Sequence, residues 1–320
     1  MLFWSRYISS NLWEPIASFF STKVILTAVA VYLSFVRILR WRRYRAIHEK
    51  YGQKFKSATL TPQDAQEIVA ESLLYDMPAL MNYALSFALY KTFAIPSISK
   101  ILSDTKQFSS AERISRRFVD TGILISTWLF CPISGKTRSA TDSSCHMRTH
   151  VCAQRETEDP RAIIALARVN WLHSKYPIKN DDYLYTLGLF IFEPQKWARL
   201  YGWRVLSPME AHAFHLFWNE IGAKMGIIDI PENATEFKQW IAEYEARAML
   251  PARTNHEIAT CTTEELLHSL PNAFGIKTFI RRLTICALED NVRNAMMQPE
   301  QPLYLYHFFR LFLRTIAFIH

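Results

Sequence analysis

The chain reads as an all-α protein carried behind a single N-terminal membrane helix, and three observations predict this. Only eight glycines occur in 320 residues, too few for a sandwich or barrel with many tight turns. The apolar stretches are long and spaced for helices instead of alternating. Residues Lys23 to Leu39, KVILTAVAVYLSFVRIL, are apolar nearly throughout. Half of the chain is hydrophobic, enough for the core of one large domain.

The Lys23 to Leu39 run is slightly shorter than the roughly 20 residues that span hydrocarbon. Lys23 and Arg37 close the gap by snorkelling to the headgroups. The segment upstream is aromatic and nearly uncharged, whereas RWRRYR, from Arg40 to Arg45, is strongly basic. Cytoplasmic flanks carry the lysine and arginine excess, so the N-terminus is expected to be lumenal and the rest cytosolic. A cleaved signal would place its positive charges before the apolar core, the reverse of this order. A buried core helix is the alternative, and it sits badly beside RWRRYR. Residues 1–45 are thus expected to hold the lumenal segment, membrane helix and basic flank, and 46–320 the folded domain.

The net charge is +8, but many of the positive residues crowd between Arg37 and Lys56, so the charge reads as membrane topology. No CxxC finger or aromatic strand motif accompanies it, which argues against a nucleic-acid partner. The five cysteines are odd in number and scattered, fitting a reducing compartment better than a disulfide framework.

Helix starts are well punctuated. Thr61-Pro62 opens one helix, and Ser109 with Glu112 forms a capping box for another through Arg117 and Thr121. Asp159-Pro160 starts the helix of DPRAIIALARVNWLHSKY. Asn180-Asp181 starts the next, expected to break near Pro194 and stop at Gly202. Ser207 to Glu210 is a second capping box, leading to a helix that ends near Gly226. Further helices are expected over Glu236 to Leu250, Thr263 to Leu270 and Ile276 to Met297. The last, Leu303 to His320, is apolar nearly all round and suits either a membrane surface or a terminal packed helix. Residues 134–158 are polar and aperiodic, and are expected to loop out as a disordered insertion.

Few residues offer chemistry. His173 shares a helix with Ile163, Ile164, Leu166, Val169 and Leu172, so its imidazole needs a partner. That partner is either a backbone group, the commoner fate of a lone histidine, or the iron of a haem. Arg117 and Thr121, four apart, share one helix face ahead of the apolar GILISTWLF. They could orient a bound oxygen or a propionate, though most such pairs are simply solvated. Cys145, His146, His150 and Cys152 are zinc-ligand types, but their spacing is not that of a structural zinc site. His212, His215 and Glu220 lack the Glu-x-x-His pattern of di-iron helices. HExxH, GxSxG, P-loop and GxGxxG motifs are all absent. The sequon Asn233-Ala234-Thr235 is expected to stay unmodified in the cytosol.

Four strings taken together resemble one family: EIVAESLLYDMPALMNYALSFALYKTFAIPSISKIL, RRFVDTG, DPRAIIALARVNWLHSKYPIKNDDYLYTL and FWNEIGAKMGI. They are similar to the fungal ER-bound oxygenases of the mpaB type, related in turn to bacterial latex-clearing rubber oxygenases. The resemblance implies a helical haem b protein that adds O2 across an isoprenoid C=C bond. The substrate implied is a prenylated secondary-metabolite intermediate, met at the endoplasmic reticulum membrane together with membrane lipid. It also implies His173 as the haem-iron ligand, Arg168 as an arginine of the same helix, and Arg117 and Thr121 as the catalytic polar pair. Trp128 and Phe130 would line the prenyl groove. Where the rubber oxygenases carry an iron-capping lysine, this chain has Asp120, which puts a capped resting state in doubt. The competing expectation is a membrane-anchored helical binding or scaffold protein without haem.

Overall fold

The computed structural model describes residues 22–108, 110–137, 157–271 and 273–319. The expectation of a lumenal segment ahead of residue 22 lies outside them. The first described element, α1 (Thr22–Lys56), is one helix of 35 residues, about 52 Å long at the standard rise. Its N-terminal half holds an 18-residue window of mean hydropathy 1.7 with nothing buried, long and apolar enough to cross a membrane. Its C-terminal half docks on the body. Tyr51 is buried, Trp41 meets Trp203 edge-on at 5.0 Å, and His48 Nε2 lies 2.8 Å from Ser207 Oγ. Apolar run and docking surface therefore share a single continuous rod.

The fold is all-α among the described residues, apart from one two-residue ladder. α2 (Pro62–Glu71) opens as expected: Thr61 and Asp64 form a capping box, and Lys54 of α1 pairs with Asp64 at 2.8 Å. Ser72–Asp76 then winds as one π turn ahead of α3 (Pro78–Thr92) and α4 (Pro96–Asp104). In α5 (Ala111–Phe130), the side chain of Ser110 accepts from the Arg113 amide. The expected box began one residue earlier, at Ser109, which lies outside the described residues. Of the segment expected to loop out, 138–156 is likewise outside. Its ends meet, with Lys136 paired to Glu158 and Thr137 to Thr157 in an antiparallel ladder.

α6 (Arg161–His173) and α7 (Asn180–Tyr201) follow. The expected break at Pro194 does not occur. Proline removes one helical donor, and the Gln195 side chain donates to Ile191 O at 2.9 Å beside the opened turn. Packing does the rest: α7 is the central helix, in contact with α3, with α8 (Pro208–Lys224) and with α9 (Ala234–Ala248). Gly188 makes the closest approach possible, since a Cβ there would lie 2.5 Å from Ile241 of α9. Phe190 stacks on the buried Trp218 at 4.6 Å, and Phe214, Phe217 and Phe237 complete the centre of the core.

Two other boundaries move. α10 (Arg253–Leu266) begins ten residues before the expected Thr263. Its first turn is polar, but Asn255 within it is buried and donates to Ala94 O, Leu250 O and Ala295 O. The expected helix from Ile276 to Met297 is two helices, α11 (Ile276–Cys286) and α12 (Asp290–Ala295). The break turns Glu289 towards Lys91, 3.1 Å away. α13 (Leu303–Ile319) packs on α11 and α7. Asn233, the sequon residue, caps α9 by accepting from the Thr235 amide at 2.8 Å.

Candidate functional site

α5 and α6 pack against each other and carry the expected site residues. Gln66 of α2 fixes the end of α5 by donating to Trp128 O and Cys131 O, both at 2.7 Å. The half-buried Arg117 and Thr121 share the inward stripe of α5 with the buried Ile114 and Trp128. Both are therefore on the body-facing side, which spacing alone did not decide. On α6, His173 continues the buried stripe of Ala162, Leu166 and Val169 and is half-buried at the helix end.

Burial, and then the positive charge of Arg117, lower the His173 pKa below its ordinary 6.5. A helix C-terminus by itself favours a cation. Here dehydration and Arg117 outweigh it, and the imidazole is held neutral. Its Nδ1 is buried and has no hydrogen-bond partner among the described residues. Tyr183 of α7 lies beside the ring, 5.4 Å between centroids, and burial raises its phenol pKa. Arg117 is also perturbed by burial, with its pKa lowered, and Tyr176 partly offsets this. Its guanidinium lies over Phe108 at 5.4 Å, and no described carboxylate pairs with it.

The other expected residues fall elsewhere. Arg168 is exposed on the far side of α6, its guanidinium over Trp171 at 4.5 Å, and the fold does not bring it to His173. Asp120 is exposed. Trp128 is buried with Nε1 unpartnered among the described residues, whereas Phe130 is half exposed. His212 faces Phe55 of α1, and His215 is buried near Glu232 O, 2.9 Å from its Nε2, so these two histidines do not share a ligand. Cys145, His146, His150 and Cys152 lie outside the described residues.

Among the described residues no three His, Cys, Asp or Glu side chains are grouped to hold a bare metal ion. Haem asks for less, because it brings its own ring nitrogens and needs a neutral imidazole for iron and cations for its propionates. His173 with its orphaned nitrogen and Arg117 without a carboxylate fit those two demands.

Two further polar clusters went unread in the sequence. Arg204 lies between Asp76 and Glu210, 2.5 Å from each, with all three side chains buried. Burial raises the pKa of Asp76; at Glu210 burial also pushes upward, but the bonds and charge of Arg204, with the bonds from Ser207 and Ser72, together lower the pKa. Lys91, also buried, meets Glu193 at 3.3 Å, Glu245 at 2.8 Å and Glu289 at 3.1 Å. These partners come from distant stretches of chain, so spacing carried no signal of them.

Among known proteins, the chain is 29% identical over 286 residues to the ER-bound oxygenase mpaB of Penicillium roqueforti (strain FM164), covering 83% of this chain and 86% of that one. It is 30% identical over 280 residues to the ER-bound oxygenase mpaB' of Penicillium brevicompactum, covering 82% of this chain and 60% of that one. To the ER-bound oxygenase mpaB of the same organism it is 30% identical over 250 residues, 72% of this chain and 58% of that one. It thus spans about three-fifths of the two P. brevicompactum relatives. No family model and no solved structure matches it. By these relatives, the chain is similar to the mpaB-like family of ER-bound oxygenases.

Proposed function

We propose that this protein is an oxygenase of secondary metabolism, anchored by α1 in the endoplasmic reticulum membrane, and that it binds haem b through His173. The observation that carries the reading is the buried, partnerless Nδ1 of a neutral imidazole facing Arg117. A buried nitrogen left unpaired costs about 1–3 kcal/mol, which a bound ligand would recover. That the relatives are ER-bound oxygenases supports the reaction class and the membrane.

When bound, haem supplies the redox chemistry. The protein's own share is to hold and enclose. His173 would hold the haem iron through its imidazole, with Tyr183 against its ring. Arg117 presents an uncompensated positive charge to a propionate or to a developing negative charge. Thr121, one turn on and half-buried, would offer a hydroxyl on the same face of α5, which also carries the buried Trp128. The substrate class is a prenylated aromatic that partitions into lipid, and the reaction is cleavage of an isoprenoid C=C bond. Both atoms of O2 then end in the two carbonyl products, so the overall change balances without an external reductant. The basic RWRRYR flank supports a cytosolic body in a single-pass topology.

The test is the optical spectrum of the detergent-solubilised protein after haem reconstitution, wild type beside His173→Ala. A Soret band in the wild type, weakened or shifted by the substitution, is the expected result. No haem bound by the wild type would sink the reading.

A further inference from the structure

The C-terminal helix presents two unlike faces. Its inner face is occupied: Leu305 packs with Leu283 and Cys286 of α11, and Phe309 meets Tyr201 of α7 edge-on at 5.8 Å. Its outer face carries Tyr304, Phe308, Leu311, Phe312, Phe318 and Ile319. All are exposed, Leu311 by 68% and Phe318 by 65%, although Phe308 meets Phe279 of α11 edge-on at 5.6 Å at the margin of the face. At the standard 100° per residue these six side chains fall within about 120° of arc, and Arg310 and Arg314 lie along one edge of it. An apolar stripe bordered by cations is the pattern of a helix lying in a bilayer surface.

The position of α13 in the fold says which surface. The Arg37 guanidinium of α1 lies over the Phe318 ring, 5.1 Å from its centroid. Arg37 closes the apolar run of α1, so the end of α13 stands where that run leaves the hydrocarbon. The exposed face of α13 is therefore continuous with the membrane helix, and its basic edge suits anionic headgroups.

We propose that α13 is a second membrane contact, with its outer face seated in the acyl–headgroup boundary of an anionic bilayer beside α1. The proposal rests on the reading of α1 as the anchor. A single spanning helix leaves the body free to turn about the helix axis. A second contact beside it removes that freedom and fixes which side of the body faces the lipid.

The experiment uses the full chain in phosphatidylcholine vesicles containing phosphatidylserine and a trace of lipid with a photoactivatable acyl chain, with adducts mapped by mass spectrometry. Adducts on α13 as well as α1 are expected. The double variant Leu311→Glu, Phe312→Ser should lower those on α13 by roughly fivefold or more while leaving those on α1 unchanged. Adducts on α1 alone would overturn the proposal and leave the anchor standing. Adducts on neither would overturn both. Crosslinks joining α13 to a second copy would overturn it in favour of a dimer face.

Discussion

The molecule holds two arginine-centred clusters, and the fold completes only one of them. Where α1 docks, Arg204 meets the carboxylates of Asp76 and Glu210 at 2.5 Å, and Ser72 Oγ and the Ser207 amide add bonds to Glu210 at 3.0 and 2.7 Å. On α5, Arg117 has no described carboxylate, and across from it His173 keeps a buried nitrogen without a partner. Matched buried charges hold a corner of the structure together. A cation without a described carboxylate and an unpaired imidazole nitrogen left together are where a ligand is expected, because local rules are broken where function needs it.

The largest expected effect lies in the matched cluster. Arg204→Ala strands two buried carboxylates and should cost about 3–5 kcal/mol, read by urea denaturation. A loss below about 1 kcal/mol would mean that the cluster is not structural and that the comparison fails.

Arg117→Ala should do the opposite. Its unfolding free energy should stay within about 1 kcal/mol of wild type, since no ion pair is broken. Haem should remain bound, and turnover should fall on the order of a hundredfold. A stability loss as large as that of Arg204→Ala would place Arg117 among the structural charges.

Acid sharpens the contrast further. The folded-state pKa of His173 lies below the ordinary 6.5, so the folded protein favours the neutral ring. Its contribution to stability is therefore present above 6.5 and is lost as pH falls through the folded value. The stability of the wild type relative to His173→Gln should decline on acidification below 6.5, with haem affinity declining in parallel. Because His215 is also lowered, by burial first, only the difference between the two proteins isolates His173. A difference that does not change with pH would break the argument.

The smallest effect is expected at Arg168. It is exposed and touches only Trp171, so Arg168→Ala should shift stability by no more than about 0.5 kcal/mol and leave the haem spectrum unchanged. A lost Soret band would return Arg168 to the site and overturn its placement here.

Most helix starts were legible because caps are local. Thr61 with Asp64 and Ser207 with Glu210 satisfy amides within three residues of themselves; the helix opens at Thr61-Pro62 and the Ser207 box forms, both as expected. The failures have tertiary causes. Pro194 does not break α7, because packing on every side of the helix holds it together. The start of α10 looked like surface because Asn255 finds its three carbonyls on other elements. Glu289 splits the segment after α11 in order to reach Lys91, nearly 200 residues away in the chain.

By itself the sequence determined the helical class, the apolar run of α1 with its basic flank, the family strings, and the single histidine on an apolar helix. These are local or compositional properties, set by side-chain spacing within a few turns. Only the tertiary structure decided that Arg117 and Thr121 face inward, that Arg168 faces out, and that His173 is neutral with an unclaimed nitrogen. Those outcomes depend on which groups α5, α6 and α7 bring within a few ångströms of one another, and on the water removed when they pack.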